Sequence, residues 1–163
     1  LDANRCIAYL TIEHKGSIAK ELRPLMGNRV FGCDDCQLAC PWNRAPSATQ
    51  VDDFKPRHGL DQAQLADLLT WTEAEFLKRT EGSPIRRAGF EGWQRNLAIG
   101  LGNGPATPKV LSVLNHQLAL ATPMVKEHIE WALEQLQQRQ DQNIPIATLP
   151  LREHLGRKLK HLN

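Results

Sequence analysis

Gly32-Cys33-Asp34-Asp35-Cys36-Gln37-Leu38-Ala39-Cys40-Pro41-Trp42-Asn43 holds three of the four cysteines in a chain of 163 residues, and the fourth is Cys6. The spacing is C-x2-C-x3-C-P. Thiolates are soft, charge-dense ligands, and a run of this form closed by Cys-Pro is the ligand pattern of iron–sulfur clusters, above all of bacterial two-cluster ferredoxins. The rest of the chain is read outward from this stretch.

A composition of 41% apolar and 23% charged residues is that of a globular chain. No apolar run reaches the roughly 18 to 20 residues that span a bilayer, and no charged and then apolar leader opens the chain. The sequence is therefore expected to act in the cytoplasm, as a monomer away from membranes. A C-x2-C pair in that setting favours metal or redox chemistry over disulfides. A net charge of +2 does not by itself mark a nucleic-acid binder. The chain opens at Leu1-Asp2-Ala3 rather than at Met, which fits a piece of a longer protein.

Asp2 is a fair N-cap, and Ile7, Leu10 and Thr11 at helical spacing predict a short helix carrying Cys6, with the β-branched content of 6–13 leaving a strand open. Ile18 to Met26 reads as a second short helix closed by Gly27-Asn28. After the cysteines, Pro46, Pro56 and Gly59 among small polar residues indicate a linker. Beyond it the patterns are helical. Leu60, Leu65, Leu68 and Leu69 form one amphipathic segment, Thr72 to Glu75 a capping box, and Ser83-Pro84 a cap with proline at N1. Phe90, Trp93, Leu97 and Leu101 make one apolar helix face that stops at Gly102-Asn103. Thr107-Pro108 and Thr122-Pro123 start two more helices. The Ser-Pro and Thr-Pro starts recur 39 residues apart, which fits a HEAT-like array of ~40 to 47 residue units as well as it fits a plain helical bundle.

The expected fold is mainly α: part of a two-cluster ferredoxin-like module over 1–45, a linker over 46–59, HEAT-like helical repeats over 60–140 and a basic tail over 141–163. In two-cluster ferredoxins the cysteine before the proline ligates the other cluster. On that rule Cys33 and Cys36 share one [4Fe–4S] cluster, Cys6 joins them across a 26-residue insertion, and Cys40 serves a second. The first cluster then lacks one thiolate and the second three, the four that an upstream C-x2-C-x2-C-x3-C-P run supplies. The rival is a self-contained zinc site made of all four cysteines, although Cys-x3-Cys-Pro is a ferredoxin habit rather than a zinc one.

The residues Leu1 to Glu13, Gly27 to Gln37 and Cys40 to Asn43 closely resemble the epoxyqueuosine reductase family. Pro84 to Gly89 and Arg95 to Asn103 resemble its helical-repeat region in the same order, so the likeness covers about residues 1–137. It implies a cobalamin-dependent reductase with two four-iron clusters that removes the epoxide oxygen of epoxyqueuosine at the wobble position of certain tRNAs, giving queuosine. The resemblance also implies that the cobalamin domain, the proton-donating aspartate and the first cysteine motif precede the present region. This chain alone is then expected to be inactive, with no catalytic residue of its own. Carried over by position, Cys6, Cys33 and Cys36 hold the cluster nearer the cobalamin and Cys40 the distal one. Thr11, Lys15, Ser17 and Asp34 approach cobalamin or the substrate base. Arg86, Arg87, Arg95 and Lys126 are expected to lie off the apolar faces and to meet tRNA phosphates. An electron-donor protein is the remaining implied partner. None of the six histidines shows paired metal spacing. Two alternatives are a tRNA-binding module with a zinc-stabilised head of four cysteines, and a ferredoxin-like electron-transfer partner of another corrinoid enzyme.

Overall fold

Side-chain caps written in the sequence set the helix starts at Glu73 and Pro108. The computed structural model describes residues 2–43 and 49–141, and the helices among them are α1 (Ile7–Ile12), α2 (Arg23–Met26), α3 (Asp35–Ala39), α4 (Leu65–Leu69), α5 (Glu73–Arg79), α6 (Phe90–Gly102), α7 (Pro108–Leu118) and α8 (Pro123–Asp141). No strand occurs among the described residues. Thr72 and Glu75 form both halves of the capping box on α5. Glu75 accepts the Thr72 backbone N–H and hydroxyl, and these bonds hold its carboxyl below the usual range. Thr107 accepts the Val110 N–H at the head of α7. Thr122-Pro123 opens α8 directly, whereas Ser83-Pro84 opens a 3-10 turn (Pro84–Ala88) and α6 begins only after Gly89.

The first 43 residues are helical where side chains close the backbone. Asp2 caps a 3-10 turn (Ala3–Arg5) by accepting the Asn4 N–H at 3.0 Å, and Cys6 stands at the junction between this turn and α1. Residues 6–13 are not a strand: the Thr11 hydroxyl donates to the Ile7 carbonyl at 2.7 Å, satisfying itself within the helix. The second expected helix is shorter than Ile18 to Met26. The Ile18 N–H donates to His128 and its carbonyl accepts Arg23 Nε, so these groups are not available for a helical ladder.

Helix α6 is buried on nearly every side. Leu97, Ala98 and Ile99 are sealed in a core shared by Leu10, Ile18, Met26 and Val30 from the cysteine-bearing segment and by Leu114, Ile129 and Leu136 from α7 and α8. Trp93 lies against Trp71 and Phe76, with ring centroids 6.1 and 5.9 Å apart, joining α4 and α5 to the same core. Hydrophobic packing is therefore continuous across the linker expected over 46–59. Residues 44–48 of that linker and 142–163 of the basic tail lie outside the described residues. No described helix is long and apolar enough to cross a membrane.

Two glycines let neighbours approach α6. A Cβ on Gly102 would stand 2.8 Å from Ala132 Cα on α8, whereas one on Gly100 would meet the movable end of Leu65 at 2.9 Å. Gly102→Ala should therefore cost about 2 kcal/mol despite alanine's better helix propensity. Gly100→Ala should cost less, because a leucine rotamer gives way more cheaply than a helix axis. Urea unfolding of the two variants checks the order.

Candidate metal centre and its supports

Each cysteine sits where a local backbone signal puts it. Cys6 precedes α1, Cys33 follows Gly32 at φ 71°, Cys36 lies in α3 and Cys40 ends it in extended conformation before Pro41. All four are free thiols; Cys36 is exposed and the others half-buried. The start of α3 is fastened by Arg29, whose guanidinium meets the Asp35 carboxylate at 2.7 Å. Asp35 is also well placed in the first helical turn. No three His, Cys, Asp or Glu among the described residues are gathered closely enough to hold a metal ion. A closed zinc site needs four ligands within ~2.3 Å of one ion. A four-iron cluster spreads its thiolates over four metal atoms and does not require that crowding.

Behind the cysteines lies a polar network anchored on α6. Arg95 is 1% exposed and Asn96 fully buried. Arg95 donates through Nη1 to the carbonyls of His14 (2.8 Å) and Gly16 (2.7 Å), and through Nη2 to that of Leu10 (2.7 Å). Its Nε and Nη2 also donate to Asn96 Oδ1. Asn96 Nδ2 in turn donates to the carbonyls of Thr11 (2.8 Å) and Val30 (2.9 Å). Burial lowers the Arg95 pKa to about 10, which leaves the guanidinium charged at neutral pH. One helix end further on, Asn103 donates to the carbonyls of Arg23 and Gly27.

Several expected site residues are spent on this scaffold. Arg95 is not a phosphate contact, because its donors are committed to carbonyls inside the protein. Thr11 is not part of an open turn: its buried hydroxyl donates to Ile7 and accepts the Gly32 N–H at 2.9 Å. Lys15 Nζ donates to the carbonyls of Arg87, Ala88 and Ile12. Ser17 donates to Glu127. Asp34 is exposed, and its carboxylate makes no hydrogen bond or ion pair among the described residues. Arg86, Arg87 and Lys126 are exposed as expected, with Arg87 in an ion pair with Glu13.

These features have counterparts in known proteins. Residues 1–43 match the family model of a 4Fe-4S double cluster binding domain. The chain is 63% identical over 133 residues to the epoxyqueuosine reductase of Pseudomonas aeruginosa, covering 82% of this chain and 37% of that protein. The chain is homologous to part of epoxyqueuosine reductase. The Escherichia coli protein of that name is 48% identical over 160 residues, covering 98% of this chain and 42% of its own length. A solved structure of epoxyqueuosine reductase from Bacillus subtilis has the same fold, with a TM-score of 0.71 at 23% identity over 98% of this chain and 44% of that one. The chain thus spans about two fifths of the length of the relatives it matches.

Sequence reasoning missed Asn96, Asn103 and His128. The available signal was local: asparagine is a poor residue inside a helix unless its amide is employed. His128 is buried, with Nδ1 donating to Met124 O at 2.7 Å and Nε2 accepting the Ile18 N–H at 3.1 Å. Beside it, Glu127 binds Arg23 and Ser17, and those two hydrogen bonds, Arg23's first, hold its carboxyl below the usual range. Burial pushes the His128 pKa down to about 4. The unfolded chain therefore takes up a proton near pH 6.5 that the folded chain refuses until about pH 4. Stability should be full above about pH 6.5 and fall as the pH drops towards 4, by up to about 3 kcal/mol. A His128→Gln variant should lose that slope in urea titrations between these pH values.

Proposed function

We propose that this chain is a portion of an epoxyqueuosine reductase, the part that completes two [4Fe–4S] clusters and lies against the tRNA. The observation that carries the reading is the 63% identity to a reductase of that name across most of the chain. In this reading Cys6, Cys33 and Cys36 bind one cluster and Cys40 the other, and the remaining thiolates come from a segment before Leu1. The donor set fits: four unpaired thiols, soft and partly open to solvent, on a segment that matches a double-cluster family model. Bound clusters supply one-electron transfer, and what this chain adds is the spacing and shielding of their ligands.

Cobalamin fits less well to the residues first assigned to it. The polar atoms of Thr11, Lys15 and Ser17 are occupied within the protein, so of the four only Asp34 stays available for a cofactor or substrate contact. The reading therefore places cobalamin on the portion of the reductase that this chain does not span. Residues 1–45 serve as part of a ferredoxin-like module and 60–140 as a HEAT-like support. Arg86, Arg87 and Lys126 supply the cationic surface for the anticodon stem loop, and substrate reduction belongs to the whole protein, supplied with electrons by a donor protein.

The full-length protein purified without oxygen should contain about eight iron and eight sulfide per chain. With cobalamin and a reductant it should convert an epoxyqueuosine-containing stem loop to queuosine. Zinc in place of iron, or an intact epoxide in the presence of both clusters, would overturn the reading. Arg86→Ala should weaken stem-loop binding and lower the salt slope by about 1.

A further inference from the structure

The two cysteine-bearing segments assigned to one cluster are joined by two side chains, the Asn96 amide and the Thr11 hydroxyl. Cys6 begins α1, and the far end of α1 presents the Leu10 and Thr11 carbonyls, which a helix terminus leaves without partners. Val30 and Gly32 lead into Cys33. Asn96 Nδ2 bonds the Thr11 and Val30 carbonyls together, and the Thr11 hydroxyl takes the Gly32 N–H one residue before the cysteine. Arg95 saturates the Asn96 oxygen, so the amide cannot rotate without breaking bonds to a buried cation. All the hydrogen-bonding capacity of this side chain is used, and the side chain is sealed from water.

We propose that Asn96, oriented by Arg95 and acting through Thr11, is a positioning residue that fixes the separation of Cys6 and Cys33 and so sets the integrity and reduction potential of the cluster they share. The inference rests on the proposed assignment of both cysteines to one cluster. A rigid ligand pair would resist loss of iron, and a fixed backbone around Cys33 would keep the polar surroundings of a bound cluster constant, two of the levers by which a protein tunes such a centre. Asn103 provides an internal comparison. It makes the same kind of bridge from the C-terminal cap of the same helix, but to Arg23 and Gly27, away from any cysteine.

The test uses the full-length protein with its clusters reconstituted anaerobically, in four variants: Thr11→Val, Thr11→Ser, Asn96→Ala and Asn103→Ala. Thr11→Val keeps shape and loses only the hydroxyl, so it carries the test even if Asn96→Ala does not fold. Thr11→Val and Asn96→Ala should shift the potential and electron paramagnetic resonance signal of one cluster and speed iron loss to a chelator ~10-fold. Thr11→Ser should restore the wild-type signal. Asn103→Ala should lower the melting temperature with signal and potential unchanged. Wild-type signal, potential and chelation rate in Thr11→Val with full iron content would overturn the proposal and leave the cluster assignment standing, as would an equal shift in Asn103→Ala. A wild-type protein that binds no iron would remove the cluster assignment itself, and this inference with it.

Discussion

A buried guanidinium that forms no ion pair among the described residues is the constraint on which the remaining structure turns. Removing the Arg95 charge from water is expensive unless its donors are matched, and here the matching acceptors are carbonyls at and just beyond the end of α1, with the Asn96 oxygen. The arrangement works in both directions. Helices as short as α1 and α2 do not persist alone in water, because nucleation costs more than so few hydrogen bonds return. Their last carbonyls would also be orphaned on entering a core. Side chains at α6 supply the missing donors, Arg95 and Asn96 for α1 and Asn103 for α2.

The cysteine-bearing segment is thus less a separate module than a layer laid over α6. Leu10, Ile18, Met26 and Val30 contribute its apolar underside, and the polar bridges fix its register. What remains on the outer side is the set of groups that chemistry needs: four free thiols, the exposed Asp34 carboxylate, and Leu38 and Trp42, large apolar side chains left open next to Cys40. Lys15 extends the same logic, tying the end of α1 to the turn that presents Arg86 and Arg87.

Local signals in the sequence were read correctly wherever the structure obeys local physics. Thr72, Thr107 and Thr122-Pro123 mark helix starts because capping is decided within four residues. The apolar spacing of Phe90, Trp93, Leu97 and Leu101 marks α6, and the cysteine spacing lies in the stretch that matches the double-cluster family model. The supports of the site escaped for the opposite reason. Arg95 lies off the apolar stripe, and on a helix with one buried face that means solvent; α6 is covered on its other side as well, so the same position is interior. Its partners are 79 to 85 residues away in sequence, beyond anything periodicity reports. The resemblance places Lys15 and Ser17 near a cofactor or substrate, but backbone carbonyls and Glu127 take them first.

Native-state hydrogen exchange measures most directly whether the cysteine-bearing segment depends on α6. The amides of Leu10, Ile18 and Gly32 donate to Cys6, His128 and Thr11, and none of these bonds survives separation from the helical layer if the account is right. Their exchange should then share the opening free energy and denaturant dependence of the α6 amides, as one cooperative unit. Exchange of these three amides at markedly lower free energy, while α6 stays protected, would show that the segment opens by itself and would contradict the account.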